Sequence, residues 1–381
     1  MSAPLILSED QELIRDTARE LVQARSPLKE MRRLRDTRDP DGFSRALWKE
    51  AVELGWAGIP FGEEVGGAGL GYAELGVVLE ELGRTLAPTP ILSTVVLAGS
   101  AIQLAGSAAQ RESLLRGICD GSRLFALAHQ ETPRFAPYVT RTRAEKSAGG
   151  WRLDGRKLFV LDGHVADTLI VVARTAGADR DRDGLGLFLV PATQRGVALV
   201  RTTLIDGRNA ANVELAGVEL GADAALGVPG AAADALDAVF DRGAAALAAE
   251  MMGGIQEAFD RTLAYLKARD QFGVKIGSFQ ALKHRAADWF CEVELTRAIV
   301  LEALRAIDAG SKDAAKLVSA AKARASDAFV LSGEEGVQMH GGIGMTDEED
   351  IGLFLKRARA AEQTLGDAGY HRDRFARLSG Y

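Results

Sequence analysis

Two short stretches of this chain gather residue types that bind phosphate. Residues 269–277 read Arg-Asp-Gln-Phe-Gly-Val-Lys-Ile-Gly and follow a long helical pattern. Residues 338–346 read Gln-Met-His-Gly-Gly-Ile-Gly-Met-Thr. The guanidinium of Arg269 can present two N–H groups to phosphate oxygens. Gly341, Gly342 and Gly344 have no Cβ, so a ligand can approach their backbone closely. Gln338 supplies both a donor and an acceptor. An arginine, a glutamine and backbone amides together can hold a pyrophosphate. Taken singly, each has a plainer reading. Arg269 is then a helix-end cation favoured by the helix dipole, and the glycines only make a turn. Nothing points to a metal. The five histidines are scattered, and Cys119 and Cys291 lack ligand spacing, so both cysteines are read as buried thiols.

The elements that must position these residues fall into three runs. With 381 residues the chain can form two or three domains, each with its own core. Residues 1–121 read as helical. Ser8 and Gln11 fit a capping box, and SRALWKEAVELGW and AELGVVLEELGRTL carry helical spacing. Between them PFGEEVGGAGLG is too rich in glycine for a helix, and the prolines of LAPTP stop the helix before it. Residues 122–228 change character. LFALAHQ, GWRLDGRKLFVLDG, TLIVVAR, GLFLVPA, VALVRTTL and NVELAGVEL are short, β-branched runs between Gly and Asp turns. Residues 229–381 return to long helical patterns with alanine-rich faces suited to close packing. The expected fold class is α+β: an N-terminal helical domain (1–121), a central β domain (122–228) and a C-terminal helical bundle (229–381).

The net charge of −7 argues against a nucleic-acid partner. Arg32, Arg33 and Arg35 alternate with acids and are read as a solvated helix face. The acidic start, Glu9, Asp10, Glu12, is unlike a signal peptide, and no apolar run is long enough for a membrane span. The expected location is the cytoplasm, with no membrane partner.

The two stretches above, the N-terminal LGWAGIPFGEEVGGAGLGYAELGVVLEELGR, their order and the central β domain together resemble the acyl-CoA dehydrogenase family over essentially the whole chain. The resemblance implies FAD as cofactor, and an acyl-CoA thioester desaturated to a trans-2-enoyl-CoA. It implies that Arg269, Gln271, Phe272, Gln338, Gly341 and Gly342 hold the ADP half of an FAD whose ring belongs mainly to a neighbouring chain.

The family's reaction needs a carboxylate to take the α proton. The resemblance gives two places for it. One is matched here by Leu365, before Gly366; the other is matched by Gly243, followed by Ala244. Neither carries an acid. Asp367, Glu362, Asp241 and Glu250 are nearby substitutes, with Asp367 preferred, and each is otherwise an ordinary surface acid. The ring-binding stretches match Ala128–Thr132 and Phe159–Asp162, where Leu161 brings no hydroxyl. The expectation is therefore a non-base-carrying chain, similar to the partner chains of α2β2 acyl-CoA dehydrogenases, several of which act on steroid-CoA side chains. Two alternatives stay open: a homo-oligomeric dehydrogenase with a displaced base, and a relative that does no dehydrogenation, such as a flavin monooxygenase or a structural partner.

Overall fold

A computed structural model describes residues 6–381. The start of the N-terminal helical run, residues 1–5, lies outside the described residues. The helices come first: α1 (Glu9–Arg25), α2 (Leu28–Asp36), α3 (Arg45–Glu53), α4 (Tyr72–Arg84), α5 (Gly99–Ala105) and α6 (Ala108–Cys119). Ile91–Ala98, between α4 and α5, is a π-helical segment. The strands follow: β1 (Phe125–Ala128), β2 (Arg143–Ser147), β3 (Gly150–Leu161), β4 (Thr168–Arg174), β5 (Leu185–Pro191), β6 (Val197–Thr203), β7 (Asn209–Gly221) and β8 (Ala225–Leu226). The last part holds α7 (Ala233–Ala268), a small hairpin of β9 (Asp270–Gln271) and β10 (Val274–Lys275), then α8 (Gln280–Asp308), α9 (Ala314–His340), α10 (Ile351–Gln363) and α11 (Ala368–Leu378).

Local chemistry accounts for many of the boundaries. Ser8 and Gln11 form the expected capping box at α1, and Glu9, Asp10 and Glu12 face the positive end of its dipole. Ser107 and Gln110 repeat the box at α6. The carboxylate of Asp308 accepts from the first amides of α4, Tyr72 N at 2.6 Å and Ala73 N at 2.8 Å, so a residue from the end of α8 caps that helix.

Contacts divide the chain into two compact units. The first comprises Met1–Thr37, Tyr72–Pro88 and Ala244–Tyr381. Its helices cross at glycines. A Cβ on Gly83 would sit 1.9 Å from Glu250 O, and one on Gly253 would sit 1.8 Å from Glu80 O. So α4 and α7 touch backbone to backbone at two reciprocal points, and only glycine permits this. Gly254 gives way to the Phe329 ring of α9 in the same manner. Trp289 of α8 is buried and donates through Nε1 to Ser332 Oγ of α9 at 2.8 Å.

The second unit comprises Arg38–Gly71 and Thr89–Gly243. Its sheet has the strand order β6-β7-β3-β2-β4-β5-β8, with β1 parallel to β4. The long partners β3 and β7 run antiparallel through two irregularities of register. Alternate residues of these strands, Trp151, Leu153, Val213 and Leu215, form the core with Phe188 and Val190 of β5.

Two readings of the sequence need correction. Arg32 and Arg35 are not a solvated face. Arg32 pairs with Asp350 at 2.7 Å and Asp347 at 3.1 Å, and Arg35 pairs with Asp347 at 2.8 Å; only Arg33 points outward, to Glu30. Cys119 is buried as expected, but Cys291 is exposed on α8.

Candidate functional site

The phosphate-binding candidates lie at the C-terminal ends of two helices of the first unit, α7 and α9. Helix α7 stops at Ala268, and Arg269 N still donates to Tyr265 O at 2.9 Å. The chain then reverses in the β9–β10 hairpin, where Val274 pairs with Gln271. Both turn residues have positive φ, 55° at Phe272 and 78° at Gly273, as a two-residue hairpin requires. This turn leaves Phe272 82% exposed. Arg269 and Gln271 are exposed too, and among the described residues no side chain engages either one.

The second end is the C-terminus of α9. His340 Nδ1 lies 2.7 Å from Gly336 O. Gly341 ends the helix at φ 69°, ψ −144°, a conformation essentially closed to other residues. A Cβ on Gly341 or Gly342 would meet nothing within 4 Å, whereas one on Gly344 would meet Val337 O at 2.7 Å. The three glycines therefore do different work. Gly341 makes the turn, Gly344 packs, and Gly342 has open space in front of it that a ligand could enter. Gln338 is exposed beside them.

Tyr265 joins the two ends. Its ring stacks on His340 at 4.3 Å, and its hydroxyl donates to His340 O at 3.3 Å. Arg269 is one helical turn beyond Tyr265, and Gly341 directly follows His340. Tyr265 was not singled out in the sequence, and no spacing signal marks it. Behind the glycine turn, Asp347 and Asp350 are held by Arg32 and Arg35 of α2, with Arg261 of α7 reaching Asp350 at 3.4 Å. An arginine that no side chain engages among the described residues, exposed amide side chains and an open glycine backbone fit the pyrophosphate end of FAD.

The expected base positions are different. Leu365 is buried and sits at φ 59°, in the left-handed region. Its carbonyl is 3.0 Å from His371 Nε2. Burial, and then Lys322, pushes His371 down to about 3, so the ring is neutral and this nitrogen is the donor. Lys322 is fully buried under the same loop. Its ammonium donates to Gly366 O at 2.9 Å and to Ala361 O and Glu362 O at 3.1 Å. Burial lowers it to about 7, against the opposing pull of Glu362 and Asp367. Gly243, the other position, is buried on α7.

The substitute acids are otherwise engaged. Asp367 caps α11, accepting from Tyr370 N at 2.8 Å. Glu362 accepts from Arg359 at 3.4 Å. Glu250, read from sequence as a surface acid, is instead buried and paired with the equally buried Arg357 at 3.0 Å; Arg357 also donates to Leu86 O. Asp241 is half-buried and has partners of its own.

On the β side, in the stretches that the resemblance matches to the ring site, most polar side chains are engaged, while both ring nitrogens of His129 are buried and meet no hydrogen-bond partner among the described residues. The Thr132 hydroxyl donates to Arg134 O. Glu131 takes the Lys157 ammonium at 2.6 Å and the amides of Arg141 and Thr142 at 2.6 and 3.1 Å. Burial alone would raise Glu131, but Lys157 and these amides outweigh it and hold the carboxyl low. Phe159 stands at φ 51°, and Asp162 accepts from Ser93 Oγ at 2.6 Å. Among the described residues no helix is long and apolar enough to cross a membrane, and no cluster of His, Cys, Asp and Glu could hold a metal ion.

Comparison with known proteins gives the class. The N-terminal, middle and C-terminal domain models of acyl-CoA dehydrogenase match residues 8–122, 131–218 and 233–379. The chain belongs to the acyl-CoA dehydrogenase family. It is 33% identical to acyl-CoA dehydrogenase IpdE2 of Mycolicibacterium smegmatis over 365 residues, covering 94% of this chain and 96% of that protein. Among solved structures it is similar to a variant of the Tcur3481–Tcur3483 steroid ACAD, at 32% identity and a TM-score of 0.86 over 97% of this chain and 98% of that one. The ChsE4–ChsE5 complex from Mycobacterium tuberculosis matches at 26% identity with a TM-score of 0.89, covering both chains fully.

Proposed function

We propose that this chain is the non-base-carrying subunit of a heteromeric, FAD-dependent acyl-CoA dehydrogenase, and that it grips the ADP end of a flavin shared with a second chain of the same family. Leu365 carries this reading. A buried leucine fills the place where the family resemblance expects the acid, and Lys322 and His371 bind the loop around it. Meanwhile Arg269, Gln271, Gln338 and Gly342 stand exposed. The likeness to the Tcur3481–Tcur3483 steroid ACAD and the ChsE4–ChsE5 complex supports a partner chain of the same family; on this reading the assembly is α2β2 and the acyl group of the acyl-CoA is a steroid side chain. Exposed apolar side chains on the C-terminal elements, Phe272, Phe290, Leu295 and Met345, suit a protein interface. On this reading the chain keeps the family's three-part plan, with boundaries at 121/122 and 228/229, and works in the cytoplasm.

The chain's own residues then bind and orient. The Arg269 guanidinium neutralises pyrophosphate oxygens. The amide of Gly342 donates where no side chain blocks it, and Gln338 and Gln271 fix orientation through their amides. Phe272 offers an aromatic face to the tail. FAD held by these residues would supply the hydride acceptor for the dehydrogenation. The α proton goes to a carboxylate of the partner chain, because Leu365 and Gly243 have no group that can take it.

The test is flavin content, measured as the ratio of flavin to protein absorbance. The chain alone is expected to be colourless, and the co-purified pair yellow with one flavin per pair of chains. A chain that holds its own flavin without a partner, bleached by acyl-CoA, overturns the reading.

A further inference from the structure

The connection from β1 to β2, residues 129–142, is anchored at both ends within the second unit. At its start Leu158 N donates to Gln130 O at 2.7 Å, and Glu131 closes on Lys157 and on the amides of Arg141 and Thr142. At its far end the buried guanidinium of Arg174 donates to Tyr138 O and Thr140 O, both at 3.1 Å. The Tyr138 hydroxyl reaches Asp237 of α7 at 2.5 Å, and Arg182 ties the same Asp237 at 2.8 Å and also Asp234. Between these anchors three rings meet. His129 lies 4.9 Å from Phe240 of α7 and 5.8 Å from Phe135, and Phe135 lies 5.3 Å from Phe240.

The family resemblance puts the flavin ring against the stretch Ala128–Thr132. A flat ring inserted between two of these side chains would need their centroids about 7 Å apart, two contacts of roughly 3.5 Å. All three separations are shorter, and the hydrogen bonds on either side keep the segment from moving outward.

We infer that residues 129–142 form a fixed plug, in which His129, Phe135 and Phe240 occupy the seat that an isoalloxazine ring would need in this chain. This rests on the heteromer reading and deepens it: the ring goes to the partner because the seat here is filled.

The experiment compares the co-purified wild-type pair with a pair carrying Phe135→Ser and Phe240→Ala in this chain. Both are equilibrated with excess FAD, gel-filtered and read for flavin per protein. The wild-type pair is expected to stay at one flavin per pair, and the variant to rise up to twofold. A variant pair that assembles normally and stays at one flavin overturns the plug. If the variant does not assemble, hydrogen exchange on the wild-type pair decides. Peptides spanning 129–142 are expected to exchange identically with and without excess FAD, and protection gained on adding FAD overturns the plug. A wild-type pair with two flavins overturns the plug while leaving the ADP-side contacts standing. A chain that pairs with no relative overturns the heteromer reading, and the exchange test then runs on the chain alone.

Discussion

Replacing Lys322 by methionine keeps most of the apolar stem and removes the ammonium with its charge and donors. The structure sets two opposing effects. Three backbone carbonyls, of Ala361, Glu362 and Gly366, lose their partner. Unmet buried acceptors cost about 1–3 kcal/mol each, so the loss is roughly 3–9 kcal/mol. Against this, the wild type pays for burying a charge. Burial takes the ammonium from 10.5 to about 7. A fall of that size corresponds to about 5 kcal/mol of folding free energy at pH values below 7. The unfolded chain keeps this proton up to about pH 10.5, while the folded chain releases it near pH 7. Between those values the unfolded state binds more protons, so wild-type stability rises with pH. Methionine has no such dependence. The two effects nearly offset at pH 6, and the advantage of wild type over Lys322→Met should grow by about 2–3 kcal/mol between pH 6 and pH 9. Denaturant unfolding at both pH values measures this, and hydrogen exchange of peptides 361–371 localises it. A difference that is flat with pH, or that shrinks as pH rises, would show that burial does not lower the lysine's hold on its proton as described.

Arg357→Leu leaves the Glu250 carboxylate buried without its partner and should cost about 3–5 kcal/mol. Adding Glu250→Leu should restore most of that, as read by unfolding midpoints. Gly253→Ala puts a methyl 1.8 Å from Glu80 O, so α4 and α7 must part, at a cost of about 3 kcal/mol or more, or with failure to fold. Arg269→Ala touches nothing in the fold. It should leave stability within about 0.5 kcal/mol and raise the flavin dissociation constant of the pair about ten- to hundredfold, measured by flavin release under dilution.

Much of the fold could be read in the sequence because it rests on local chemistry. The Ser8 capping box, the glycine-rich loop before α4 and the alternating runs of β3 and β7 are all short-range signals. Strand β2 escaped because Arg-Ala-Glu-Lys-Ser has little β propensity; pairing with β3 decides its state. The phosphate-binding residues were legible as types, but their junction was not, since Tyr265 meets His340 across 75 residues. Glu250 was misread for the same reason: its partner lies 107 residues downstream, and a lone acid on a helix looks like surface. The aromatic cluster at His129 likewise depends on where α7 passes, which no local pattern encodes.

Leu365 holds a left-handed conformation that costs an ordinary residue about 1–2 kcal/mol. A leucine has no reason of its own to adopt it. The shape comes from outside the residue, from the ammonium of Lys322 beneath the loop and from His371 and Gly366 beside it. The loop is thus a mould whose form does not depend on what is cast in it. Such a mould would keep its form whether position 365 carried a leucine or an acid. A carboxylate placed at position 365 would then meet the backbone that Leu365 now occupies.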